Sequence, residues 1–198
     1  MNTNKYIVSF GGANVVTTLT NKAEEIDEWV ADILPRYVTE GRSTVVGLDI
    51  EWRPHQVSNM SNKSATLQLC IDTKCLIIQL FYLDYLPQSL KDFMGWPNFS
   101  FVGVEVADDV AKLRDEYGLI CARSRDIQAH ALALWPIRWY RKPGLKVLAR
   151  DIAGLYMAKP IHVCRSDWQA RVLSKEQVEY ASIDAYASYK IGYKLFME

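Results

Sequence analysis

Val45-Val46-Gly47-Leu48-Asp49-Ile50-Glu51-Trp52 is an apolar run into which two acids intrude, two positions apart. Side chains alternate along a strand with period two, so Asp49 and Glu51 leave it on the same face. Two adjacent carboxylates repel unless something positive lies between them, and a divalent cation meets that need. The plainer alternative is a strand end that reaches water with its acids hydrated, and a single D-x-E does not choose between the two.

On either side the pattern is that of an α/β chain. Strands are predicted at Thr44–Trp52, Ala65–Ile71 and Cys75–Gln79, the last two joined by a turn at Asp72-Thr73-Lys74, and again at Phe99–Val104. Upstream, Tyr6–Phe10 and Val15–Leu19 flank Gly11-Gly12-Ala13-Asn14 and read as a hairpin added at the sheet edge. Thr20-Asn21 then offers a cap for a helix over Lys22–Tyr37, where Ile26, Trp29, Val30 and Ile33 recur at helical spacing. Further helices are predicted at Tyr85–Met94, Ala107–Tyr117, Asp126–Leu134, Leu145–Tyr156 and Lys175–Phe196, the last opened by the capping-box spacing of Ser174 and Gln177. The expectation is a mixed sheet of five to six strands flanked by helices, with a helical C-terminal half. Ser58–Ser64, polar and between two strands, reads as a mobile loop.

The chain has 198 residues, 49% of them apolar, enough for one well-buried core and short for two. The expected organisation is therefore a single domain over 1–198, with the hairpin and first helix at 1–43 and the core at 44–198. Lys+Arg and Asp+Glu both number 23, so no global charge draws the chain to nucleic acid, and any such contact must be local. Cys70, Cys75, Cys121 and Cys164 lack the spacing of a zinc clamp and read as reduced thiols. The N-terminus is not a signal peptide, and no run approaches membrane-spanning length. A soluble intracellular protein of nucleus or cytoplasm, without membrane attachment, is expected.

Two more acidic elements matter. Tyr180-Ala-Ser-Ile-Asp184 lies in the last predicted helix, where residues four apart share a face and set a phenol beside a carboxylate. Ala181, Ile183, Ala185 and Tyr186 leave Asp184 in apolar company, which weakens the ordinary reading of a solvated helix acid. Phe101-Val-Gly-Val104 runs into Asp108-Asp109 and Lys112-Leu113, and an acid there is ordinarily a favourable helix-start charge. Glu105, Asp108 and Asp109 all compete for a functional part, and spacing alone leaves that choice open.

Together the three segments resemble the motifs of the DEDD 3′-5′ exonuclease superfamily, most closely the Werner-syndrome exonuclease-like group with tyrosine in the third motif. Asp49 and Glu51 match its D-x-E strand. An aspartate beyond a V-G-V strand and ahead of Lys-Leu matches Asp109 rather than Asp108, and Tyr180 and Asp184 match the third motif. Gly144-Leu-Lys-Val-Leu148 and Ser166-Asp-Trp168 resemble connecting segments of the group, so the likeness covers about residues 44 to 195 and leaves out the hairpin and first helix. The sibling subgroup carries histidine five positions before the last aspartate, where this chain has Glu179. No helicase segment accompanies the motifs, so the likeness implies neither strand separation nor ATP use.

The resemblance implies a ribonuclease H-like (DnaQ-like) fold and a hydrolase that shortens DNA or RNA from the 3′ end. It implies two Mg²⁺ or Mn²⁺ ions per site. Asp49 would bridge both, Glu51 and Asp184 would complete one, Asp109 would hold the other, and Tyr180 would orient the attacking water. Substrate contacts are expected from Arg138, Arg141, Lys142, Lys146 and Arg150, with Trp135, Trp139 and Tyr140 stacking on bases. For each of these the alternative is a solvated helix face or a core aromatic. His55, His130 and His162 lack partners at ligand spacing and read as packed or surface imidazoles. The competing functions are a nuclease-like protein that binds nucleic acid without cleaving it and a scaffold for self-association as a homo-oligomer. A nuclease assay separates these, with light scattering reporting assembly.

Overall fold

A computed structural model describes residues 4–38 and 43–198; the first three residues and the link at 39–42 lie outside the described residues. Seven strands form one mixed sheet: β1 Lys5–Phe10, β2 Ala13–Thr20, β3 Thr44–Glu51, β4 Thr66–Ile71, β5 Lys74–Ile78, β6 Phe99–Gly103 and β7 Ser124–Asp126. Their order is β1-β2-β5-β4-β3-β6-β7. The contacts β1/β2, β4/β5 and β3/β4 are antiparallel, whereas β2/β5, β3/β6 and β6/β7 are parallel. The expectation of five to six strands was one short. The added strand, β7, is three residues of Ser-Arg-Asp with no apolar run to announce it. It exists because Phe101–Gly103 offers an open edge.

The hairpin forms at one edge of the sheet, as expected. Gly11 and Gly12, with φ of 58° and 79°, supply the left-handed turn that a two-residue hairpin needs, and β2 then pairs in parallel with β5. Helix α1 (Ala23–Tyr37) begins without the expected side-chain cap from Thr20 or Asn21. Thr20 Oγ1 instead accepts from Lys22 N, and Asp84, 61 residues away, accepts from Ala23 N at 2.9 Å. The remaining helices are α2 Gln88–Gly95, α3 Val106–Tyr117, α4 Ile127–Leu134, α5 Leu145–Ala153, α6 Ile161–Cys164 and α7 Lys175–Phe196. A 3-10 turn at Leu80–Tyr82 and an extended Pro87 push the start of α2 past the expected Tyr85. Gly154, at φ 65°, ends α5 three residues early.

Helix α7 positions the site. The predicted capping box is formed: Ser174 Oγ accepts from Gln177 N and the Gln177 side chain accepts from Ser174 N, a start that contributes about 1 kcal/mol. The helix lies across β3, β4, β5 and β6. A methyl group on Gly47 would meet Ala185 O at 2.0 Å and Tyr189 N at 2.8 Å, so β3 and α7 touch backbone to backbone. At the next turn Gly192 leaves room for the side chain of Val102 of β6. One continuous apolar core, including Phe93, Phe99, Phe101, Leu67, Leu69 and Leu76, backs this contact.

Candidate active site

Gly47, Asp49 and Glu51 share a face of β3 by the two-residue period, and Gly47 shows that this face meets α7. Asp184, one turn along α7 from Tyr180, therefore arrives opposite both strand acids. Carboxylate oxygens of Asp49, Glu51 and Asp184 lie within 4.8 Å of one another, forming the one such metal-holding group among the described residues. Asp184 is only 2% exposed.

Burial and mutual repulsion have the expected result. Burial first and the Asp184 charge second push Asp49 up to about 7, partly opposed by Lys159. Burial, then Asp49 and Asp184, raise Glu51 well above the usual carboxylate range. Asp184 is also raised by burial, against the pull of Lys159 and a hydrogen bond with Tyr180.

Asp109 stands outside the triad but within its field. Asp49, Asp109 and Lys159 line one cavity of about 290 Å³ together with Glu105, Asp108 and Trp52. Burial, then Asp49, push Asp109 up to about 9, whereas Asp108 is exposed at the rim. Of the three acids that spacing left open, Asp109 is the one whose carboxyl the Asp49 charge acts on. Glu105 starts α3 in the left-handed region at φ 53°, and its carboxylate bonds Lys142 Nζ at 2.6 Å.

Tyr180 is buried against Trp168, ring centroids 5.9 Å apart, one turn from Asp184 on α7 and beside the Cys164 thiol. Burial, then the Asp184 charge, raise its pKa further above 10, so the phenol keeps its proton at neutral pH and acts as a donor.

Four side chains near the acids were given no part in the site by the sequence. Lys159, in the coil before α6, places Nζ 2.7 Å from Asp184 Oδ2. Gln68 and Thr66 of β4 sit directly opposite Asp49 and Glu51 in register. Gln68 Nε2 donates to Thr66 Oγ1 at 2.5 Å, and the buried Gln68 Oε1 has no partner. Cys164, at the exposed end of α6, reaches Tyr180. The pairing of β3 with β4 was the one signal that could have located Gln68, while nothing in Met157-Ala-Lys-Pro160 marks its lysine.

The basic stretch is more self-engaged than its charge suggested. Arg138 donates to Asp151 O at 2.9 Å and lies over the rings of Trp135 and Trp139, whose indole N–H donates to Asp151. Arg150 also pairs with Asp151. Arg141 and Lys146 are exposed, and Tyr140 is fully so. The Ser58–Ser64 segment is tied down at its far end: Lys112 Nζ donates to Asn62 O and Ser61 Oγ, and Ser64 N donates to Glu116. The histidines stay out of the site, His55 accepting from Val57 N, His130 against Phe196 and His162 beside Glu176. A larger cavity, about 500 Å³, lies between the hairpin and α1, where Lys74 pairs with Asp32 and Asn4 donates to Glu25.

The sequence profile of the 3′-5′ exonuclease family matches residues 16–197. The chain belongs to that family. The match begins in β2, so the hairpin's second strand and α1 are part of the family's common region, which corrects the expectation that likeness starts near residue 44. A 3′-5′ exonuclease of Arabidopsis thaliana is 30% identical over 96% of this chain and 65% of its own length. One from Drosophila yakuba is 31% identical over 85% of this chain and 48% of its own. The chain thus spans 48% to 65% of the length of these relatives.

Among solved structures, RNase D of Escherichia coli superposes with a TM-score of 0.74 at 18% identity, covering 91% of this chain and 44% of that one. The Nibbler EXO domain of Aedes aegypti gives 0.71 at 16%, covering 90% and 86%. These likenesses establish the ribonuclease H-like fold. An EXD2 exonuclease domain soaked in Mn and Mg gives 0.52 at 25%, covering 91% and 89%.

Proposed function

We propose that this chain hydrolyses phosphodiester bonds of nucleic acid from the 3′ end, with two divalent ions held at the acid cluster. The observation that carries the reading is the convergence of Asp49, Glu51 and Asp184 within 4.8 Å, backed by Asp109 across a shared cavity. The donors are all carboxylate oxygens and outnumber the single ammonium among them, which fits Mg²⁺ or Mn²⁺ rather than zinc. Relatives named as 3′-5′ exonucleases support the reaction, and a structural neighbour soaked in Mn and Mg supports the choice of ion.

Asp49 would serve both ions, a role supported by its neighbours Glu51 and Asp184 on one side and its action on Asp109 on the other. Metal ions of this kind lower the pKa of bound water and stabilise charge on the attacking and leaving oxygens. Tyr180, protonated and held by Trp168 and Asp184, orients the water by donating or accepting a hydrogen bond; its raised pKa makes it a poor base. Arg141, Lys142 and Lys146 are placed to take phosphates, Arg138 to brace the loop that carries them. The Lys142–Glu105 pair is exposed on both sides, and such pairs contribute about 0–1 kcal/mol, so a phosphate can displace it. The hairpin and the acid-bearing strand β3 share one sheet, and the whole chain is proposed to act as one unit.

The test is direct. Purified protein is incubated with end-labelled DNA and RNA strands in Mg²⁺, Mn²⁺ or chelator, beside Asp49→Ala. A metal-dependent ladder receding from the 3′ end and absent from the variant is expected. Internal cutting, or an unchanged ladder from Asp49→Ala, would remove this reading.

A further inference from the structure

The acid cluster contains one cation, and none of the motif residues supplies it. Lys159 comes from the coil between α5 and α6, and its ammonium sits 2.7 Å from Asp184 Oδ2. The Asp184 side chain is 3% exposed and that of Lys159 32%, so the lysine head is inside while its route outward stays open. The same side chain lines the cavity with Asp49 and Asp109. Any ion bound by the three clustered carboxylates must take an oxygen of Asp184, the group that the ammonium now holds. An ammonium and a divalent ion packed among donors that lie within 4.8 Å of one another repel strongly. Lysine, a point charge on a flexible four-carbon stem, can leave; an arginine fork would hold on in two places.

We propose that Lys159 is a positioning residue that acts as the resident counter-ion of the cluster. It keeps Asp184 gathered with Asp49 and Glu51 while no metal is bound, and the entering divalent ion displaces it. This rests on the metal-dependent reading above and adds to it a residue and an order of events. Three carboxylates without a counter-charge would have to separate or take up protons. With the ammonium among them the donors stay converged, and the cost is competition, which holds metal affinity below what the acids alone would give. A lysine that merely fastened its coil to α7 would stay on Asp184 whether or not metal was present.

Lys159→Met and Lys159→Arg separate the two roles. Calorimetric titration of metal-free protein with Mn²⁺ is expected to show the methionine variant binding about tenfold more tightly than wild type, because the competing charge is gone. The arginine variant is expected to bind no more tightly than wild type. In chelator at pH 8 Lys159→Met should melt below wild type, and saturating Mn²⁺ should close the gap. Unchanged or weaker Mn²⁺ binding by Lys159→Met, or a melting deficit equally large with and without Mn²⁺, would overturn the proposal. If Lys159→Met does not fold, Lys159→Gln is titrated instead with the same expectations. Should wild type itself bind no Mn²⁺ and shorten no strand, the function reading fails and takes this inference with it. If wild type does both and the variants match it, only the role of Lys159 is lost.

Discussion

The acid pocket and the basic loop are built on opposite terms. Asp49, Glu51 and Asp184 project from a strand and a helix whose backbones touch, and they are crowded enough to raise one another's pKa. The loop from Trp135 to Gly144 is mostly exposed coil, and two of its neighbourhood's arginines are spent on Asp151. Chemistry that needs sub-ångström placement sits on rigid elements, whereas contacts to a long, variable polymer sit where the chain can adjust.

The contrast breaks most visibly at Tyr180. Tyr180→Phe removes one hydroxyl from the rigid side, and kcat should fall about 100-fold. Mn²⁺ affinity by calorimetry should stay within about threefold, because the phenol is not one of the metal-holding oxygens. Equal losses of rate and affinity would make Tyr180 a structural prop instead.

A change of pH probes the same crowding in metal-free protein. Asp49 at about 7 and Asp109 at about 9 stand above their ordinary 3.8, so the folded chain retains protons that the unfolded chain releases. Their stabilising contribution is complete below about pH 4 and is lost as pH rises through 7 and then 9. In chelator the melting temperature should drop by about 5 °C between pH 6 and pH 9. Saturating Mn²⁺ should abolish the drop, since bound metal keeps the carboxylates ionised. A flat profile in chelator would mean the acids are less crowded than their positions indicate.

The smallest effect belongs to the loop. Arg141→Glu with Lys146→Glu should weaken single-strand binding several-fold and lower the slope of log affinity against log salt by about 0.7 for each phosphate no longer neutralised. Arg138→Ala should leave that slope unchanged, because its guanidinium is already satisfied by Asp151 O and two indoles. Equal slopes for both variants would erase the distinction among these cations.

What could be read from the sequence follows the same division. Regular periodicity exposed the buried strands, α7 with its cap, and the acids carried on them, because alternation and four-residue spacing determine which side chains share a face. Position along the chain could not reveal β7, whose three residues are a strand only because β6 offers an edge. Nor could it reveal the Asp84 cap of α1, which is supplied from 61 residues away. Lys159 and Gln68 belong to this second kind. A lone lysine in coil and a glutamine in an apolar strand acquire meaning only when the sheet register and the packing of α7 bring them to the acids.

Gly47 carries no side chain, yet it sets how closely α7 approaches the acid-bearing strand. Because two main chains rest on each other there, the span between the strand acids and the helix acid is fixed by atoms common to every residue type. The outer faces of α7 and of the sheet are then free to change over generations without altering how far apart the ion-binding oxygens stand. The residue that holds strand and helix at this distance is one where there is almost nothing to see.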